Sequence, residues 1–136
     1  MATIDDHIYS RLVNYAGLLA LVGTRIAPGM LNQGDALPAV TFRKISGPRQ
    51  HQMGSDPGLV DARYEVNCWG DAEDNADGFG DIAAVGAQVV AALSRYGGTI
   101  DSVVVDHIFF DDEEDIYEPS TKTWRRILDF MVHYRE

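Results

Sequence analysis

The stretch Leu59-Val60-Asp61-Ala62-Arg63-Tyr64-Glu65-Val66-Asn67-Cys68-Trp69 alternates apolar and polar side chains. Val60, Ala62, Tyr64, Val66 and Cys68 share one side, and Asp61, Arg63, Glu65 and Asn67 share the other. Side chains of a strand point to opposite faces with a period of two, so the pattern describes a strand with one face buried. A second stretch repeats it: in residues 122–135, Trp124, Leu128, Phe130, Val132 and Tyr134 fall on one face, opposite Arg125, Asp129, His133 and Arg135. Residues 39–45 and 102–110 are rich in β-branched and aromatic residues and read as two further strands. Thr24-Arg25-Ile26 adds a short extended piece.

The partner for these half-apolar strands lies in two helical patterns. Phe79, Ile82, Gly86, Val89 and Leu93 follow at spacings of 3, 4, 3 and 4, drawing one stripe down a helix. Alanines at 83, 84, 87, 91 and 92 keep that helix thin enough to lie close on a sheet, and Gly97-Gly98 is read as its end. At the start of the chain Thr3 is a plausible N-cap, with Asp5 and Asp6 in the first turn. Ile4, Ile8, Leu12, Tyr15, Ala16 and Leu19 then make a helix over residues 4–22, broken near Asn14. Segregated helices and strands of this kind predict a single α+β domain over 1–136, a largely antiparallel sheet of four to five strands with two main helices packed on it.

Composition narrows the function. The chain has 136 residues, 46% of them hydrophobic, with 11 lysines and arginines against 21 acids and a net charge of -10. Tight nucleic-acid binding and adhesion to anionic membranes both require positive charge, so neither is expected. The single cysteine, Cys68, excludes an intrachain disulfide, and the first residues lack the basic and apolar regions of a signal peptide. A soluble protein made in a reducing cytoplasm is the expectation.

Motifs that carry chemistry fail on detail. Gly78-Phe79-Gly80-Asp81-Ile82-Ala83 imitates a dinucleotide-binding turn, but eight residues, five of them acidic or amide, separate it from Trp69 and would repel a phosphate. Glu73 to Ala84 imitates a calcium loop whose last ligand, a glutamate, is Ala84 here. The histidines His7, His51, His107 and His133 are scattered. No catalytic residue, metal site or cofactor is therefore expected.

Two segments remain without an assignment to the core. Residues 46–58, with three glycines and two prolines, form a long polar loop read as mobile until a partner orders it. Arg49, His51, Met53 and Asp56 are its candidate assembly contacts. The acidic run Asp111, Asp112, Glu113, Glu114 and Asp115 reads as too charged for a sheet interior, and so as part of a hairpin over 111–121 that serves as lumen lining, as an interface, or as a charged edge that stays soluble.

Leu21-Val-Gly-Thr-Arg-Ile-Ala-Pro-Gly29, Leu37-Pro-Ala-Val-Thr-Phe42 and Tyr64-Glu-Val-Asn-Cys-Trp69 occur in this order. The ending runs from Tyr117-Glu118 through Thr121 to Trp124-Arg-Arg-Ile-Leu-Asp-Phe130 and Tyr134. Together they resemble the tail-completion protein family of long-tailed bacteriophages and prophages, which includes tail-terminator and tail-to-head joining proteins. The resemblance implies a structural, non-enzymatic virion protein in the tail or neck, assembled in the host cytoplasm. It implies a homo-oligomeric ring, commonly a hexamer, that contacts the tail tube protein on one side and head-completion or neck proteins on the other. DNA would pass through without specific binding. The alternatives are a neck or connector-side head-completion subunit and, from another class, a small hydrolase or ligand-binding domain.

Overall fold

In the computed structural model, residues 3–29, 36–49, 58–72, 78–100 and 103–135 are described. The elements are α1 (Ile4–Val13), α2 (Ala16–Val22), β1 (Ile26–Pro28), β2 (Ala39–Ser46), β3 (Leu59–Asp71), α3 (Gly78–Leu93), β4 (Gly98–Ile100), β5 (Val103–Glu118) and β6 (Thr123–Arg135). The strands form one sheet in the order β1-β2-β3-β6-β5-β4. All pairings are antiparallel except β1 with β2, which is parallel.

The fold is α+β as the patterns require, with two differences. The sheet is six-stranded and mixed, not a sheet of four to five strands. The extra strands, β1 and β4, are three residues each and lie at the two edges. Three helices replace two because the first is interrupted at Asn14 and Tyr15, where the sequence placed its break. The Thr3 hydroxyl accepts from the Asp6 amide at 3.3 Å while the Asp6 carboxylate accepts from the Thr3 amide at 2.9 Å, closing a capping box. That backbone hydrogen bond holds the Asp6 carboxyl below its usual pKa.

β3 and β6 pair along their whole length, Leu59 with Arg135 through Asp71 with Thr123. This register puts Val60, Ala62, Tyr64, Val66 and Cys68 beside Tyr134, Val132, Phe130, Leu128 and Arg126 on one face. All of these but Arg126 are buried. The helices cover that face. Ile82, Val85, Val89 and Leu93 of α3 and Ile4, Ile8 and Leu12 of α1 complete the core. On the covered face Tyr9 stacks near Phe42 and the Tyr64 hydroxyl donates to Asp5. No described helix lies on the other face.

Where α3 begins, helix and sheet approach so closely that side chains are excluded. A Cβ on Gly70 would strike the Gly78 carbonyl, and a Cβ on Gly78 would strike the backbone of Asp71. The glycine that imitates a dinucleotide-binding turn is thus explained by this helix-to-strand contact. α3 ends at Leu93, ahead of the Gly97-Gly98 pair taken from the sequence as its stop. Arg95 instead turns the chain with φ 63°.

Candidate assembly surface

The sequence places the acidic run in a hairpin outside the strands, and the structure corrects this. β5 continues unbroken through Asp111, Asp112, Glu113, Glu114 and Asp115 to Glu118, and only residues 119–122 turn the chain into β6. A strand can be this charged because β5 is not interior. β4 flanks only Val103–Val105, and the Arg95 amide donates to the Ile108 carbonyl at 2.8 Å. Beyond Ile108, among the described residues, nothing pairs with the outer side of β5. Charges on an open edge deter pairing with a like strand. All five acids are exposed.

The five do not act alike. Asp115 faces the helix layer and takes both hydrogen bonds of a paired guanidinium, from Arg126 Nε at 2.7 Å and from Nη2 at 3.1 Å. This raises the Arg126 pKa, chiefly through the Asp115 hydrogen bond. Arg126 lies under α3, where a Cβ on Gly86 would come within 2.9 Å of its Cδ. Asp115 therefore serves the fold. Asp112 accepts from the Glu113 amide at 2.9 Å. Asp111 and Asp112 also act on Arg63, whose pKa is raised first by its hydrogen bond to Asp129 at 3.1 Å.

Aromatic side chains frame the run. Phe79, Trp124 and Tyr117 meet at the start of α3, with ring centroids 5.3 Å apart in each pair with Trp124. Phe79 and Tyr117 keep 49% and 44% of their surface exposed. On the uncovered face Phe109, 51% exposed, touches His107 and His133, and His133 Nδ1 lies 2.5 Å from Asp61.

Of the loop candidates, Arg49 is exposed, donates to the Gly47 carbonyl at 2.9 Å and bridges backbone to backbone with Val60. His51, Met53 and Asp56 lie outside the described residues. The structure thus sets Arg49 at the end of β2 and the acidic run on β5, at opposite edges of the sheet, and does not bring the two candidate groups together within one subunit.

Sequence reasoning missed Arg126 and His7. Arg126 occupies an even position among the apolar residues of β6, and the acid in register with it on β5, Asp115, was the available signal. His7 is wholly buried, with Nε2 3.0 Å from the Tyr96 hydroxyl. Cys68 is buried too, and burial pushes its thiol up to about 12, so at neutral pH it is a packed side chain and not a nucleophile. Among the described residues, no group of three or more His, Cys, Asp or Glu side chains could hold a metal ion. No described helix is long and apolar enough to cross a membrane.

Three comparisons bear on these surfaces. Among solved structures, the chain is similar to a chain of the virion of a native gene transfer agent particle. The two share 19% identity with a TM-score of 0.73 over 95% of this chain and 92% of that one, which establishes a common fold. No curated protein matches the sequence. The family described as "Tail completion protein gp17" matches residues 6–135, all but the ends of the chain. With the match spanning both edge surfaces and the whole sheet, the protein belongs to the tail completion protein gp17 family.

Proposed function

We propose that this structural virion protein is the subunit of a ring, of six copies, that completes a phage-type tail and joins it to the head. The observation that carries the reading is the family match over residues 6–135. The architecture supports it: the acidic run and Arg49 are exposed at the two edges of the sheet. A ring needs a heterologous contact between two different surfaces of the same chain. Its partners are further copies of itself, the tail tube protein on one side and head-completion or neck proteins on the other. DNA passes through the lumen, where a net charge of -10 disfavours sticking because acidic walls release no counterions from phosphates.

The test uses tails prepared without this protein. Adding the purified chain should cap the tubes with a ring visible by electron microscopy and restore joining to filled heads. A chain deleted over residues 48–56 should stay folded by circular dichroism and fail to join. Binding to portal assemblies but not to tubes would overturn the tail-completing role in favour of a connector-side one. Normal joining by the deleted chain would remove the loop, with Arg49, His51, Met53 and Asp56, from the interface.

A further inference from the structure

Both ends of the sheet are stepped. β1 lies outside β2 only over Val40–Phe42, and the Gly29 amide extends that contact to the Phe42 carbonyl. Among the described residues nothing flanks Arg43–Ser46 on that side. At the other end β4 projects beside Val103–Val105 and leaves β5 open beyond Ile108.

The registers fix the levels of these steps. Val40 aligns through Cys68 and Arg126 with Asp115, and Phe42 through Val66 and Leu128 with Glu113. β1 therefore projects at the level where the opposite edge is recessed. β4 projects at the level of Tyr134, beyond the end of β2. A second copy set beside the first places β1 in the notch left along β5, with β4 at the level of Arg49, which bridges to Val60 past the end of β2. β2 and β5 run in opposite directions, since each successive pairing from β2 through β3 and β6 to β5 is antiparallel. Copies related by an axis along the strands thus present antiparallel edges to one another.

Charge is divided in the same way. Between Asp35 and Asp56 the chain carries Arg43, Lys44 and Arg49 and no acid. Arg25 stands just before β1. Between Arg95 and Lys122 it carries eight acids and no lysine or arginine. One edge of the sheet is basic and the other acidic, in a molecule whose net charge would otherwise repel its own copies.

We infer that the β1–β2 edge of one subunit docks on the β5 edge of a second copy, basic side to acidic side, and that this is the heterologous contact that closes the ring. The inference rests on the ring reading above and goes beyond it by assigning the two surfaces. An open edge that repels its own kind and accepts an oppositely charged one gives head-to-tail order, because acidic edge against acidic edge is disfavoured.

Complementation between charge-reversed chains tests this. Asp112→Lys, Glu113→Lys and Glu114→Lys together give the run 111–115 a net positive charge, and Arg43→Glu with Arg49→Glu makes both edges acidic. Each variant alone, checked for fold by circular dichroism, should lose at least about tenfold in ring yield by native mass spectrometry. An equal mixture should recover to within about twofold of wild type, in rings holding equal numbers of the two chains. Asp112→Asn with Glu114→Gln removes charge without reversing it, and should weaken the ring in the same direction should the lysine variant not fold.

Wild-type rings with full yield from each variant alone would overturn the edge contact and leave the ring reading standing. Lost rings that mixing does not restore would overturn the pairing of these edges. A wild-type chain that forms no ring, alone or on tail tubes, would overturn the ring reading and the contact together.

Discussion

On β6, Phe130 and Met131 are neighbours in the chain and stand on opposite faces of the sheet. Phe130 is 1% exposed, beside Tyr64 and against Phe110, under the helix layer. Met131 is half-buried on a face where no described helix lies, beside Arg63 and Phe109. The covered face is continuous apolar packing, closed at one end by the Asp115–Arg126 pair. The open face is a lattice of ion pairs and rings: Arg43 with Glu65 at 3.0 Å, Arg63 with Asp129 at 3.1 Å, His133 with Asp61, and Arg125 over the Trp69 ring at 5.1 Å. Packing specifies the first face. The second is bound by charges that water screens, so its residues can be exchanged for contacts with a partner at low cost to the fold.

The sharpest test of that contrast changes the two neighbours separately. Phe130→Ala should lower stability by about 3–5 kcal/mol, the cost of deleting a buried ring and leaving a cavity. Met131→Ala should cost about 1 kcal/mol or less, because half its side chain is already in water. Chemical denaturation of the two variants measures the difference. Equal losses would mean that the open face is a second core.

A smaller effect is expected where α3 meets the Arg126 guanidinium on the covered face. Gly86 leaves room for the Arg126 stem, and a larger side chain must push it away from Asp115. Gly86→Leu should cost about 1–3 kcal/mol through overpacking. The loss should shrink when Arg126 is shortened to alanine in the same chain, since neighbours in contact are not additive. Additive losses would show that Gly86 is needed for some other approach.

How far these features could be read in advance depends on burial. β3 was legible from Val60 to Cys68 because one face is covered and the period of two survives. The α3 stripe was legible for the same reason from Ile82 through Gly86 and Val89 to Leu93, all buried, whereas Phe79 at its head stays exposed beside Trp124. The second half of β5 was not. From Phe109 to Glu118 the strand has no fully buried residue, so there is no alternation to find, and its conformation is set by pairing with β6 across the turn. β1 and β4 are three residues each, too short to show a period; β1 is defined by pairing with Val40–Phe42 and β4 by pairing with Val103–Val105. Of the site, the sequence located the acidic run and the end of β2, but not that they occupy opposite edges. That fact belongs to the strand order, which no local pattern encodes. Arg126 escaped because a cation on a buried face is intelligible only with its carboxylate, Asp115, eleven residues away.

The smallest effect is a pH dependence that comes from His7 on the covered face. His7 has no exposed surface; its Nε2 meets the Tyr96 hydroxyl, and its Nδ1 has no hydrogen-bond partner. Arg11 lies over the same Tyr96 ring at 4.5 Å, and a proton on His7 would be desolvated. Asp5 and Asp6 share α1, but Asp5 is engaged with Tyr64 and Asp6 with Thr3. Burial lowers the His7 pKa from 6.5. In the unfolded chain the ring regains its ordinary value, so below about pH 6.5 the unfolded state binds the extra proton and the folded state does not. Stability is therefore complete above that pH and falls as pH drops from 6.5 through the lowered folded-state value. The slope can reach at most about 1.4 kcal/mol per pH unit, one proton's worth. His7→Gln, which keeps a polar group for Tyr96 and cannot titrate, should flatten the curve between pH 6.5 and the onset of carboxylate titration. A curve that H7Q leaves unchanged would show that the covered face is not the source of the pH dependence.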